Sequence, residues 1–195
     1  MQILLIDNYD SFTFNIVELL RQLKCEQITV IKNDQISIQD AKNFDKIIIS
    51  PGPSIPSQAG NIVQIIQTLG PTHSILGICL GHQAIAEAFG AKLKNLSHPF
   101  HGFQTRLHQV AKDRILNNLP EQTINGIQIG LYHSWVVNPI DLPSSINVTS
   151  YSSENHIMSL RHADYDIHGL QFHPESYMTP LGIKMIDNWL GGGIM

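Results

Sequence analysis

At 195 residues, with 14% charged side chains and a net charge of −4, the chain is sized for one α/β domain, taken as residues 1–195, with a sizeable core. No Lys/Arg run or basic stripe points to nucleic acid, and the longest apolar runs are strand-sized, which argues against a membrane span or signal peptide. Two cysteines in unlike surroundings do not make a disulfide framework, and a free thiol placed for chemistry suits a reducing, cytoplasmic setting.

In chain order, Gln2 to Ile6 is a buried-strand run. Asp7 to Ser11 is polar and turn-rich, and Asp10 or Ser11 is placed to cap a following helix. Phe12, Ile16, Leu19, Leu20 and Leu23 then share one helical face. Gln27 to Lys32, Lys46 to Ser50 and Ile75 to Ile78 read as further strands, separated by helical segments that include Ile62 to Leu69. This alternation predicts a mainly parallel sheet with helices on both faces. In such sheets ligands bind beyond the carboxyl ends of the strands.

Two stretches fall at such ends. The first is Pro51-Gly52-Pro53-Ser54, directly after a strand. Proline fixes φ and has no N–H, so the one donor in the Pro-Gly-Pro triplet, at Gly52, is held in place. A fixed backbone N–H beside a nucleophile is what an oxyanion hole needs. The second is Gly77-Ile78-Cys79-Leu80-Gly81-His82-Gln83, running from a strand into the helical run Ala84 to Phe89, with Gly90 as its stop. A nucleophile flanked by glycines at a strand-to-helix turn has the layout of the hydrolase elbow, with sulfur in place of hydroxyl. Helix N–H groups pointing at the thiol favour thiolate. A free cysteine is commonly a small buried hydrophobe, and Cys25 reads that way. At Cys79 the two glycines at matching offsets favour a nucleophile, and the N–H of Leu80 is the natural second oxyanion donor.

Beyond Phe89 the pattern shortens and alternates. Ala91 to Asn95, Phe103 to Leu107, Gly126 to Leu131, Ile146 to Ser150, His156 to Arg161 and Ile167 to Phe172 read as a smaller antiparallel region beside the parallel core. Leu181 to Leu190 reads as a helix ended by Gly191-Gly192-Gly193, with Ile183, Ile186, Trp189 and Leu190 on one face. Within the strand-to-turn stretch Gly169 to Ser176, His173 and Glu175 stand two apart and point the same way in an extended segment. That lines up an imidazole base with a carboxylate to orient it. His73, His82, His98, His108, His156, His162 and His168 read as structural or surface positions. His98 and His101 have a spacing seen in metal pairs, but partners at ligand spacing are missing, so no metal is expected.

These motifs, together with Leu5-Ile6-Asp7-Asn8-Tyr9-Asp10-Ser11-Phe12-Thr13 and Tyr132-His133-Ser134, resemble the class I, triad-type glutamine amidotransferases over essentially the whole chain. The opening motif is similar to the glutaminase subunits of anthranilate synthase and aminodeoxychorismate synthase. The resemblance implies a Cys79-His173-Glu175 triad, oxyanion donors at Gly52 and Leu80, and a glutamine site formed by Gly52, Gln83, Ser134 and Trp135. It implies L-glutamine as substrate and a separate chorismate-binding large subunit that receives ammonia. It also implies no cofactor on this chain, with Mg²⁺ on the partner. Three positions depart from the common pattern: Ser54 stands where relatives often have Gly, Trp135 where they often have Leu, and Phe103 where they often have Lys. Ser54 is expected to stiffen the loop and Trp135 to thicken the pocket wall. The alternatives are a stand-alone γ-glutamyl thiol hydrolase, a regulatory pseudo-amidotransferase, and a flavodoxin-type nucleotide module. The last is disfavoured because no Gly-x-Gly-x-x-Gly follows the first strand.

Overall fold

The computed structural model describes residues 1–119 and 126–192. Among them, strands β1 (Ile3–Asp7), β2 (Ile28–Lys32), β3 (Lys46–Ile49) and β4 (Ser74–Ile78) alternate with helices α1 (Thr13–Gln22), α2 (Ile38–Ala41) and α3 (Ile62–Leu69). Helix α4 (Leu80–Ala88) follows β4 without a linker beyond Cys79. The second half carries β5 (Leu93–Asn95), β6 (Phe103–Gln109), β7 (Ile127–Leu131), β8 (Trp135–Val137), β9 (Ile146–Ser152), β10 (Ile157–His162), β11 (Ile167–Leu170) and helix α5 (Gly182–Leu190).

Nine strands form one sheet in the order β2-β1-β3-β4-β11-β10-β9-β6-β7. The first five are mutually parallel, and the last four continue it antiparallel. The α/β class and the helices on both faces are as the sequence pattern requires. Alternation along β1 sorts its side chains: Leu4 and Ile6 face a core shared with α3 and α4, while Ile3 and Leu5 face one shared with α1 and α5. Burial on both faces is why β1, β3 and β4 read as unbroken apolar runs.

Several expectations are corrected. The run Ile167 to Phe172 does not belong to a separate antiparallel region: β11 pairs parallel with β4, Gly169 opposite Gly77, and joins the core sheet. Its sequence is too short to tell a core strand from a hairpin strand. Asp10 and Ser11 do not cap α1; its N-cap is Phe12, and Asp10 instead accepts from the Phe12 N–H. Strand β8 and helix α2 had no signal strong enough to read, and β5 pairs with β8 in a small sheet of its own. On α5 the buried apolar side chains are Met185, Ile186 and Trp189, with Ile183 and Leu190 only partly covered. Gly191 and Gly192 end the helix at positive φ, and Gly193 lies outside the described residues.

Candidate active site

Four loops leave the carboxyl ends of neighbouring parallel strands and converge. They follow β1 at Asn8, β3 at Pro51, β4 at Cys79 and β11 at Gln171. Cys79 occupies a single-residue turn between β4 and α4, with φ 51° and ψ −100°. A non-glycine residue in this region costs about 1–3 kcal/mol and persists only where its surroundings fix it. Here the Cys79 N–H donates to Leu170 O at 2.7 Å and the Cys79 carbonyl accepts from Gln83 N at 3.1 Å. The turn also requires both flanking glycines. A Cβ on Gly77 would stand 2.3 Å from the Gly81 backbone, and one on Gly81 would stand 2.4 Å from Ile49 O.

His173 and Glu175 follow β11. The segment expected to be extended is instead bent at 171–172 and turned at 174–175, with the Ser176 N–H donating to His173 O at 3.2 Å, and this turn sets the two side chains side by side. His173 Nδ1 lies 2.6 Å from Glu175 Oε1, and both side chains are almost wholly buried. The peptide around them is tied down: His173 N donates to Gly130 O, and Thr179 Oγ1 donates to His173 O. Tyr132 and Phe12 pack edge-on and tilted around the ring. Burial pushes the His173 imidazole down, but the Glu175 charge and the Cys79 sulfur outweigh it and hold its pKa well above the ordinary value. His173 Nε2 has no hydrogen-bond partner of good geometry among the described residues. The ring is therefore fixed on its Nδ1 side and available on the side that the sulfur influences.

A cavity of about 160 Å³ opens in front of Cys79, lined by Gly52, Ser54, Gln83, His101, Tyr132 to Trp135 and Cys79 itself. The Gly52 loop is fixed from behind by buried Asn8. Its N–H donates to Ser50 Oγ and its Nδ2 to Ser50 O, while its Oδ1 accepts from Asn33 Nδ2. A Cβ on Gly52 would stand 2.5 Å from Asn8 Cβ and 2.8 Å from Leu80 Cδ2, so only glycine fits between them. Among the described residues, neither the Gly52 N–H nor the Leu80 N–H donates to another protein group. Both are left for a ligand, and the Leu80 N–H also carries the positive end of the α4 dipole.

Gly52, Cys79, Gln83, Ser134 and Trp135 line this cleft; Leu80 follows Cys79 at the start of α4, and His173 with Glu175 is buried within reach of the Cys79 sulfur but outside the cavity lining. Two expectations need correction there. The Gln83 amide nitrogen does not face an open pocket, since it donates to Trp135 O at 2.9 Å and Gln171 Oε1 at 3.2 Å. The part of Gln83 with no described partner is its Oε1, and the Trp135 carbonyl is taken. Ser54 does not simply stiffen its loop: it sits at φ 69°, a conformation that suits glycine.

Sequence reading also missed residues. Asn8 reads as turn chemistry, because nothing in a polar loop announces a long-range bond to Ser50. His101 and His133 line the cleft. Burial lowers the His133 pKa to about 3, with the nearby His173, His156 and His82 charges acting in the same direction, so His133 is neutral at physiological pH. Burial likewise lowers His82, packed against Gly169, to about 4. Among the described residues no group of three or more His, Cys, Asp or Glu side chains is placed to hold a metal ion.

The fold and this constellation have the layout of an amidase with a cysteine at its centre, on a mixed sheet with a parallel core. The class-I glutamine amidotransferase family model matches residues 4–191, and the chain belongs to that family. Among curated proteins, it is 41% identical over 196 residues to anthranilate synthase component 2 of Saccharolobus solfataricus, covering 96% of each chain. It is 40% identical to the aminodeoxychorismate/anthranilate synthase component 2 of Bacillus subtilis, covering 96% of this chain and 95% of that one. Among solved structures, a candidate GMP synthase subunit from Thermoplasma acidophilum aligns with a TM-score of 0.84 at 25% identity, covering 98% of this chain and 92% of that one.

Proposed function

We propose that this chain is the glutaminase component of an anthranilate or aminodeoxychorismate synthase. It releases ammonia from L-glutamine and passes it to a chorismate-aminating partner chain. The observation that carries the chemistry is the strained Cys79 turn beside the buried His173–Glu175 pair, with two unused N–H donors, one at Leu80 next to the thiol and one at Gly52 on the cleft wall. The partner rests on the names and near-complete coverage of the relatives.

The reaction proceeds as follows. The Cys79 thiolate attacks the side-chain amide carbon of glutamine, with His173 holding the thiol proton. The oxyanion that forms accepts hydrogen bonds from the Gly52 and Leu80 N–H groups. As the C–N bond breaks, His173 gives its proton to the departing nitrogen and ammonia leaves. His173 then takes a proton from water, and the hydroxide attacks the thioester. The C–S bond breaks, releasing glutamate and regenerating the thiolate. Glu175 keeps the imidazole oriented throughout. Gly52, the free oxygen of Gln83, and Ser134 with Trp135 bound the space for the amino-acid head group.

Ammonia released into water at neutral pH mostly becomes ammonium, which is not a nucleophile. An efficient enzyme therefore delivers it directly to an acceptor site. That site, with its chorismate and Mg²⁺, belongs to the partner, and both chains work in the cytoplasm. Among the described residues no helix is long and apolar enough to cross a membrane.

The test uses Cys79→Ser in complex with the large subunit. Glutamine-dependent synthesis is expected to disappear while synthesis from added ammonium salts persists. Turnover of a γ-glutamyl peptide by the isolated wild-type chain, at a rate unaffected by the partner, would overturn the coupled reading in favour of a stand-alone hydrolase.

A further inference from the structure

The proposed thiol chemistry accounts for His173 and Glu175 but leaves a third side chain of the segment after β11 unused. Gln171 lies two residues before His173 and is fully buried. Its Nε2 lies 3.7 Å from Cys79 Sγ, and its Oε1 accepts from Gln83 Nε2 at 3.2 Å. Gln83 Nε2 donates in turn to Trp135 O at 2.9 Å.

The direction of these bonds is forced. A backbone carbonyl only accepts, so the Gln83 group facing Trp135 O must be its NH₂. That NH₂ also faces Gln171, which must present its oxygen there. The Gln171 NH₂ is then left facing the sulfur. One acceptor on β8 therefore fixes both amide orientations and aims a donor at the nucleophile. A donor at sulfur favours the thiolate over the thiol. Its bond is strongest when sulfur carries full charge, before attack and when the thioester collapses, and weakest in the neutral thioester.

We propose that Gln171 is a positioning residue for the nucleophile: its amide donates to the Cys79 thiolate and, through Gln83, ties the sulfur to the Trp135 wall of the cleft. This rests on Cys79 being the nucleophile. It adds to the thiolate-favouring α4 N-terminus a second donor from the segment that follows β11. The neighbouring titratable groups are His173 with Glu175 behind it, neutral His133 on the cleft wall, His82 beneath Gly169, and half-buried Asp10 within the field of His173 and Glu175. Gln171→Met, which adds no charge, leaves all of these side chains in place.

The experiment follows the rate of Cys79 alkylation by iodoacetamide against pH in a Cys25→Ser background. Gln171→Met keeps the side-chain length and removes the donor. Its alkylation midpoint is expected to rise by about one pH unit, the worth of a hydrogen bond to a charged group. Gln171→Glu keeps an acceptor for Gln83 but turns a carboxylate toward the sulfur, and a larger rise is expected. In both, glutaminase kcat should fall about tenfold with KM changed much less. Folded variants that alkylate with the parent's pH profile would overturn the inference. If neither variant folds, the side-chain amide of Gln171 is followed by NMR in the wild-type protein. Its proton shifts should track Cys79 titration and change on alkylation; unmoved shifts would equally overturn it. Activity surviving in Cys79→Ser would instead sink the nucleophile assignment, so the two failures are separable.

Discussion

Strand β11 has a histidine near each end, and the two ends of the sheet differ in what they do with it. At the amino end, His168 lies between two carboxylates: Nε2 is hydrogen-bonded to Asp166 Oδ1 at 3.2 Å, and Nδ1 lies 3.0 Å from Asp113 Oδ1, an ion contact outside hydrogen-bond geometry. Arg114 joins at 2.7 Å from Asp166, and Thr149 Oγ1 donates to Asp113. Arg114 and Lys46 both donate to Trp189 O, placing two cations at the carboxyl end of α5. Beyond the carboxyl end, His173 has one nitrogen held by Glu175 and the other unpartnered beside a strained cysteine. A histidine with a carboxylate on each side anchors structure. One with a carboxylate on a single side is oriented and still able to exchange a proton.

The comparison breaks most sharply at His173. His173→Gln is expected to lower glutaminase turnover by at least about a thousandfold, since base and nucleophile act as a unit. Thermal stability should change little, because an amide at this position can still reach Glu175. A variant that unfolds, or one retaining substantial turnover, would erase the distinction between the two ends.

The converse experiment is at Asp113, whose side chain is 1% exposed. Asp113→Ala strips partners from His168, Thr149 and the Ile115 N–H. A loss of about 3 kcal/mol in urea unfolding is expected, as for a broken buried pair. Glutaminase kcat should hold wherever the protein remains folded. Asp166, 40% exposed, is the control: Asp166→Ala should cost less than about 1 kcal/mol.

The pH dependence sharpens the same contrast. Burial opposes the charge on His168, yet its bonds to Asp113 and Asp166 raise its pKa above the ordinary value. Burial would raise the Asp113 carboxyl as well, but His168 and the Ile115 and Thr149 donors bring it lower instead. The His168 contribution is therefore complete below its unfolded pKa of about 6.5 and is lost as pH rises through the higher folded value. The Asp113 contribution is complete above about pH 4 and is lost on further acidification. The stability gap between wild type and Asp113→Ala should be widest near pH 5.5 and narrower at pH 9. A gap that does not change with pH would mean that His168 is uncharged in the folded protein.

These two ends were not equally legible in the sequence. Cys79, His173 and Glu175 were readable because their chemistry demands local patterns: glycines flanking a sharp turn, and a histidine and a carboxylate two residues apart after a strand, although a turn rather than the expected extended backbone brings that pair together. The parallel core was readable because strands buried on both faces are uninterrupted apolar runs. The amino-end network was not readable. His168, Asp113, Arg114 and Lys46 come from separate elements, and only the pairing of β11 beside β4 brings them together. The sequence instead suggested a peripheral place for β11, because four residues carry too little periodicity to choose a neighbour. Gln171 was missed for a different reason. It lies inside a legible motif, but its role depends on amide orientations set from β8, a three-residue strand with no signal of its own.

The smallest predicted effect lies at Ser54, on the rim of the cleft. Its positive φ costs a non-glycine residue about 1–2 kcal/mol, whereas glycine there would instead lose about 0.5–1 kcal/mol of chain entropy. Ser54→Gly should therefore stabilise the folded chain by about 0.5–1 kcal/mol, less whatever the exposed contact between Ser54 Oγ and Gln58 Oε1 contributes. Urea unfolding measures the gain. The Gly52 donor is fixed by Asn8 and Leu80 rather than by Ser54, so kcat/KM should stay within about threefold of wild type, under 1 kcal/mol of barrier. A stabilised variant with a large loss of kcat would show that strain at Ser54 helps to place the loop. The cleft would then hold two strained residues, Ser54 and Cys79.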